Sequence, residues 1–306
     1  MISNASGTTL ASGASSAVSR LAIGIATTGR AVILARVLGE LARQDSPPAR
    51  IIVCHVRPDD VAGIIDPRVE FLTAPAGLPR QRNAIIDAAT DCDILLFLDD
   101  DFIPAPGYVA ATRAAFDAAA DIVGSTGVVI ADGASGPGLA WDDGVRRLAA
   151  DTARSAPASV LPVWAAYGCN MAIRLDAVRR HGLRFDERLP LYGWWEDIDF
   201  TRRLAAHGRI VRVTAARGVH LGAKTGRTSG LRLGYSQVVN PLYLARKGSV
   251  PWKAAARRVA ANVFRNVTRA VAPEPYIDRR GRLRGNLLAL RDVLRGDLRP
   301  ERIIEL

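Results

Sequence analysis

The sequence predicts an α/β fold: an open, mostly parallel sheet with flanking helices, followed by a helical C-terminal extension. Three observations carry that expectation. From residue 21 onward, short apolar runs of strand length alternate with segments of helical spacing. One run, residues 93–98, is apolar throughout after its first residue, as a strand covered on both faces must be. The chain also has 306 residues, 49% of them hydrophobic, enough to bury a large core.

The elements follow in order. Residues 1–18, rich in Ser, Ala and Gly, read as a mobile arm lacking the charged start and compact apolar block of a secretory signal. Residues 21–26 form the first strand, and 31–43 have helical spacing. A second strand covers 50–56 and a third 69–72. A helix is expected over 79–90, with Pro79 in its first turn, where the missing N–H costs nothing. After the strand at 93–98, a helix covers about 106–119. Residues 131–160 look less regular, with Gly, Ala, Ser, Pro and scattered acids. Order returns at 160–165 and 169–173, followed by helices from 175 and over 196–207 and a strand at 210–214. Residues 221–233, Gly-rich with Lys224 and Arg227, have the composition of a mobile loop. The chain thus divides into an arm (1–18), an α/β domain (19–245) and a basic helical extension (246–306).

Composition narrows the class. No apolar run approaches the ~18 residues of a membrane span. Cys54, Cys92 and Cys169 stand alone at apolar positions, as buried thiols of a cytosolic protein do. The formal net charge of +11 is not evenly spread. Residues 1–245 carry 26 basic and 24 acidic residues, whereas residues 246–306 carry 15 and 6. Of the 41 basic residues 38 are Arg, so Arg abundance alone says nothing about phosphate binding.

Ligands of open α/β sheets bind beyond the carboxyl ends of the strands. The strongest signal there is Asp99-Asp100-Asp101, directly after the 93–98 strand. Residues i and i+2 of an extended segment point the same way, so Asp99 and Asp101 can share a cation while Asp100 points elsewhere. Hard oxygen ligands suit Mg²⁺ or Mn²⁺, and either ion would bridge a diphosphate. The bland alternative is a solvated acidic turn. A second cluster is Tyr192-Gly-Trp-Trp-Glu-Asp-Ile-Asp-Phe200. Acids at a helix start favour the dipole, the structural explanation for Glu196, Asp197 and Asp199. Trp194 and Trp195 could equally stack on a sugar, with a carboxylate beside them as general base. His220 follows a strand and precedes the Lys224 and Arg227 segment, which could close over a diphosphate. Arg80, Arg82 and Asn83 open a helix, where backbone donors also favour anions.

These pieces, in this order, resemble a family 2 glycosyltransferase of the GT-A fold. The resemblance rests on the run at 23–30, Arg82-Asn83, Phe97-Leu-Asp-Asp-Asp101, Gly168-Cys-Asn-Met-Ala-Ile173, Glu196-Asp-Ile-Asp-Phe200 and His220, and spans residues 20–235. It implies that Thr27, Thr28 and Arg30 line a nucleotide site, together with Arg82 and Asn83. An acid after the second strand usually reads the base in this family. Here residues 54–58 intervene before Asp59 and Asp60, and Asp59 is assigned to that place. Asp99, with Asp100 beside it, would approach the ribose or base. Asp101 and His220 would bind the divalent metal, Mg²⁺ or Mn²⁺. Asp197 matches the catalytic base, and Trp194, Trp195 and Glu196 would face the acceptor. The implied reaction is inverting transfer of one sugar from a nucleotide-diphosphate donor to a saccharide or lipid-linked hydroxyl acceptor, since the Gln-x-x-Arg-Trp motif of processive synthases is absent.

Two rival classes use similar parts. A sugar nucleotidyltransferase needs a Gly-rich loop after the first strand, and Thr27-Thr-Gly-Arg30 has one Gly. A phosphohydrolase with Asp99 as nucleophile needs a later catalytic Lys, and Lys224 in a Gly loop fits poorly. A non-catalytic, membrane-associated sugar-nucleotide-binding protein is a third alternative.

The extension has its own pattern. Over residues 252–271, Trp252, Ala256, Val259, Ala260, Val263, Phe264, Val267 and Val271 fall on one side of a helix. Lys253, Arg257, Arg258, Arg265 and Arg269 fall on the other. Such a helix either lies in an anionic membrane interface or docks on the domain with a solvated basic face. The first places the protein in the cytoplasm at the inner face of a membrane. No nucleic acid is expected, because no recognition motif accompanies the charge.

Overall fold

The computed structural model describes residues 18–152, 158–225 and 228–306, so the expected arm lies almost wholly outside the described residues. Strands β1 (Leu21–Ala26), β2 (Arg50–His55), β3 (Val69–Thr73) and β4 (Ile94–Leu98) run parallel, with helix α1 (Ala31–Leu41) between β1 and β2 and α2 (Leu78–Ala88) between β3 and β4. Then come β5 (Phe102–Pro104), α3 (Tyr108–Ala118), β6 (Ile122–Asp132), α4 (Trp141–Thr152), β7 (Val160–Pro162), β8 (Asn170–Arg174), α5 (Leu175–Arg180), α6 (Glu196–Leu204) and β9 (Arg209–His220). One sheet results, in the order β3-β2-β1-β4-β8-β6-β9-β5, with β7 also paired to β9. β8 runs against both β4 and β6, whereas β6 and β9 are parallel.

The period of two along each strand divides the core into two layers. Ile23, Ile25, Leu96 and Leu98 face Leu34, Val37, Leu38 and Leu41 of α1 and Val109 and Phe116 of α3. Ala22, Leu95 and Phe97 face Ile85 and Ile86 of α2, Val178 of α5 and Phe200 and Leu204 of α6. Helices on both faces of the sheet are what the alternating runs predict, but the sheet is mixed, since β8, β5 and β7 pair antiparallel.

Three local expectations need correction. Residues 131–160 are not irregular throughout, because α4 lies inside them. Its first-turn acids Asp142 and Asp143 suit a helix dipole, and Leu148 is its deeply buried large side chain, so its apolar period is faint. The strand expected at 210–214 continues to His220. The segment 221–233 is not loop to its end: helix α7 (Gly230–Lys247) starts within it, capped by Ser229, whose Oγ accepts from the Arg232 N–H at 3.4 Å.

α7 is joined by α8 (Trp252–Arg269) and α9 (Arg279–Leu294) in a helical layer. α7 and α9 touch backbone to backbone: a Cβ on Gly234 would lie 2.1 Å from the Arg282 carbonyl oxygen, and one on Gly285 2.1 Å from that of Leu231. α8 docks through a polar face. The Asn266 side chain donates to Gln237 Oε1 (2.9 Å) and Asn286 Oδ1 (2.8 Å) and accepts from Arg279 (3.1 Å). The Asn262 amide donates to the Gln237 carbonyl at 3.4 Å, and Ala255 packs with Leu189 and Tyr243. These buried amides are partnered, so their burial costs little. Both alternatives raised for this segment presumed one continuous apolar face. Instead Val259 and Val263 pack inward, while Trp252, Phe264, Val267 and Val271 are exposed.

The contact between α7 and α9 gives a stability test. Gly234→Ala inserts a methyl group against a carbonyl that cannot rotate away, and overpacking of this kind costs about 1–3 kcal/mol. Gly39→Ala, in α1 with nothing within 4 Å of its Cβ, instead stabilises by about 0.5–1 kcal/mol through helix propensity. Urea unfolding of the two variants should shift the midpoint in opposite directions.

Candidate active site

The site lies where the rule for open sheets places it, along the carboxyl edge. β4 ends in Asp99, whose N–H donates to the Cys169 carbonyl at 3.0 Å just before β8 begins. The next two acids diverge as their alternation predicts. Asp100 is buried and turned back under the sheet edge, accepting from Thr27 Oγ1 (2.7 Å) and Arg30 (2.7 Å). Asp101 turns to the same side as Asp99 and meets His220 at the end of β9, with Nε2 3.4 Å from Asp101 Oδ1 and 3.7 Å from Asp99 Oδ2. Asp101 Oδ2 accepts from the Ala223 N–H at 2.6 Å. Its Oδ1 is buried without a hydrogen bond.

Ligand atoms of Asp99, Asp101 and His220 all lie within 4.8 Å of one another. Two carboxylates, an imidazole and an unsatisfied buried carboxylate oxygen form a donor set that fits a divalent cation. His220 is oriented from behind: its Nδ1 lies 2.9 Å from Asp132 Oδ1 at the end of β6, leaving Nε2 for the cluster. The Tyr167 hydroxyl donates to the other Asp132 oxygen at 3.1 Å. Burial alone would lower the His220 pKa, but its close contacts with Asp101 and Asp132 and the charges of Asp101 and Asp99 raise it to about 10. For Asp101, burial is likewise outweighed, by His220, Arg30 and the Ala223 amide, and its pKa lies below the usual carboxylate range.

A buried guanidinium organises the other half. Arg82, from α2, lies 5.4 Å from both the Phe97 and Phe185 rings. It donates to Glu196 Oε1 (2.6 Å) and the Gly168 carbonyl (2.7 Å) and approaches Asp99 Oδ1 at 3.4 Å. Gly168 in turn donates its N–H to Asp197 Oδ2 at 2.9 Å, and the Ile198 N–H donates to Oδ1 at 2.8 Å. Burial raises the Asp197 pKa against these donors and Arg82, and raises that of Glu196 to about 8 despite the adjacent guanidinium. Leu191 (φ 59°) and Trp195 (φ 76°) precede α6 in the left-handed region, which costs a non-glycine residue about 1–2 kcal/mol. The loop is held at both ends: Leu191 O accepts from the Leu78 N–H (2.8 Å), and Trp194 O from the Asn240 side chain (2.8 Å).

The other sequence candidates separate. Thr27 and Arg30 bind Asp100 behind the cluster; Arg30 also lies 3.8 Å from Asp101 Oδ2, and its Nε donates to the Thr225 carbonyl at 3.0 Å. Thr28 and Asp59 are exposed. Asp60 turns inward instead, accepting from the N–H groups of Gly29 (2.7 Å), Val56 (3.0 Å) and Arg57 (2.8 Å) and so tying the first two strand ends together. Asn83 faces away from the cluster, exchanging hydrogen bonds with the Phe185 backbone and donating to Glu187. Lys224 donates to the carbonyls of Gly133 (3.2 Å) and Ala134 (3.3 Å), while Arg227 lies outside the described residues. Trp194 and Trp195 stack on each other at 5.3 Å, and Trp195 packs beside Leu189 and Tyr243 under Arg258. Asp132 and Tyr167 are members of the site that the motifs do not contain, and Asp60 and Gly168 stand in quoted runs that gave them no role of their own.

No protein-family model matches the chain, and no curated protein matches it. Solved structures do. That of GalNAc-T7 with UDP, GalNAc and Mn²⁺ aligns at 15% identity with a TM-score of 0.58, covering 95% of this chain and 56% of that one. The mannosyltransferase PcManGT from Pyrobaculum calidifontis, in complex with GDP-Man and Mn²⁺, aligns at 14% identity with a TM-score of 0.51, covering 91% and 88%. S. aureus TarS aligns at 15% identity over 72% of this chain and 40% of that one, with a TM-score of 0.49. The chain therefore spans 40–56% of the length of two of these neighbours. Its fold is the GT-A fold of glycosyltransferases.

If Asp99, Asp101 and His220 hold a cation, Mn²⁺ should raise the melting temperature, because a ligand at 100 times its Kd adds about 2.7 kcal/mol. Asp101→Asn should abolish that rise while still folding, as seen by circular dichroism. An equal Mn²⁺ response in the variant would remove the assignment.

Proposed function

We propose that the chain is a metal-assisted, inverting glycosyltransferase of the family 2 type, moving one sugar from a nucleoside diphosphate donor to a hydroxyl of a saccharide or lipid-linked acceptor. The observation that carries this reading is the meeting, at one sheet edge, of a cation-fitting cluster and a carboxylate anchored separately from it. Arg82 and the Gly168 peptide link the two. The GT-A fold and the nucleotides and Mn²⁺ held by its structural neighbours support the same reading. Fold alone would not, since one fold hosts many chemistries.

On this reading Asp99, Asp101 and His220 would hold a divalent cation, which would supply Lewis-acid stabilisation to the diphosphate leaving group. Asp197 removes the proton from the acceptor hydroxyl as its oxygen attacks the anomeric carbon opposite the diphosphate, which inverts that centre. Its raised pKa suits a general base better than that of an exposed Asp. The two N–H donors hold its carboxylate in place. Lys224 and Arg227, on the segment after His220, meet the charge developing on the leaving diphosphate. Thr27, Thr28, Arg30, Asp59 and Asp100 edge the nucleotide side, and Trp194 and Glu196 the acceptor side.

Asp197→Asn keeps the shape and one of the two backbone N–H contacts but removes the base. Donor binding, measured by titration of UDP- and GDP-sugars in the presence of Mn²⁺, should be nearly unchanged. Turnover should fall by about 10²–10⁴-fold. Lost donor binding with normal residual turnover would instead place Asp197 on the donor side.

A further inference from the structure

The helix α8 is docked through a mixed face. It meets α7 and α9 through Ala255, Asn262 and Asn266 with Val259 and Val263 beside them, and turns the rest of its apolar side outward. Trp252 is 58% exposed, Phe264 71%, Val267 50% and Val271, just past the helix end, 85%. At 100° per residue, Ala256, Val267, Ala260, Val271 and Phe264 fall within an arc of roughly 80°. Lys253, expected on the opposite side, shares the angle of Val271 and lies within this stripe, and Arg257, Arg265, Arg258 and Arg269 follow on its solvent flank. α8 contains no acidic residue. From Trp252 to Val271 the stripe is about 28 Å long.

We propose that this face of α8 is a docking surface for an anionic lipid bilayer. A convex apolar stripe edged by cations matches both parts of such an interface: Phe264, Val267, Val271 and Trp252 enter the headgroup and acyl boundary, while Arg257 and Arg265 meet lipid phosphates. A second copy of the same face is a poor occupant, since two strips carrying only positive charge would be brought together. A polyanion without a lipid phase would satisfy the Arg flank and leave Phe264 and Val271 in water. Two contacts connect the surface to the site: Arg258 of α8 lies 5.7 Å from the Trp195 ring, next to Glu196 and Asp197. Tyr276, in the turn after α8, lies beneath Lys224 Nζ at 6.0 Å. The inference does not rest on the sugar-transfer reading, and its test needs no turnover.

The full chain is sedimented with phosphatidylcholine vesicles, with and without phosphatidylglycerol, at low and high salt. Binding is expected only with the anionic lipid and should fall as salt rises. Arg257→Gln with Arg265→Gln should weaken it about 25-fold, at about fivefold per charge removed. Phe264→Ser with Val267→Ser should weaken it by roughly tenfold or more. All four side chains are exposed, so melting curves should match the wild type. Equal binding to neutral vesicles, no binding at low salt, or unchanged binding in both double variants would overturn the proposal. So would self-association in solution that is lost in the Phe264 and Val267 variant, which would assign the face to a second copy.

Discussion

A positive charge held out of water constrains everything around it. The Arg82 guanidinium is 2% exposed and lies against two Phe rings, so it must find its partners inside the protein. Truncating one member of a buried charged network typically costs 3–5 kcal/mol, because the survivor is left uncompensated. Its partners come from four places in the chain: Asp99 after β4, the Gly168 carbonyl before β8, Glu196 at the start of α6, and the ring of Phe185 in the preceding loop. The cation-fitting end and the Asp197 end are therefore held in a fixed relation by an interaction that touches neither His220 nor Asp101. The strained backbone at Leu191 and Trp195 is stable within the same frame, since its ends are tied to α2 and α7.

Much of this architecture could be read from the chain because it obeys short periods. The apolar run before Asp99 announces a doubly covered strand, and a period of two separates Asp99 and Asp101 from Asp100. Thr27 and Arg30 follow from the rule about strand ends. What could not be read depends on pairings distant in sequence. Asp132 reaches His220 only because β6 and β9 pair in parallel with His220 opposite it, 88 residues apart. Adjacent acids Asp59 and Asp60 are indistinguishable as letters, and the tight turn after β2 decides which one enters. Trp194 and Trp195 advertise a binding platform in sequence, yet Trp195 lies against the helical layer.

The extension shows the same limit from the other side. A helical wheel ranks faces by apolarity, and by that measure α8 should dock through Val, Phe and Trp. It docks through Asn262 and Asn266 alongside Val259 and Val263, leaving Phe264 and Trp252 outside, because Gln237, Asn286 and Arg279 supply the partners that make burying an amide tolerable. None of those partners lies within one helical turn of α8, so the wheel carries no trace of them. Gly230 misled in a related way, lying in the segment expected as loop although it opens α7, where Gly234 and Gly285 let two helix backbones approach closely.

The reversed direction of β8 sets which parts of the site are free to diverge. The parallel strands bring side chains to this edge from their ends, whereas β8 begins there and brings peptide groups. The Cys169 carbonyl holds the Asp99 amide, and the Gly168 peptide holds Arg82 with one end and Asp197 with the other. Main-chain groups are supplied by every residue type, so these anchors are inherited with the topology and not with any particular side chain. Their one demand on sequence is smallness at position 168, where a Cβ would come within 3.1 Å of Asp197 Oδ2 and 3.2 Å of the Arg82 guanidinium. Neighbouring side chains can therefore drift, changing what is bound, while the spacing between the two carboxylate centres is carried by the backbone.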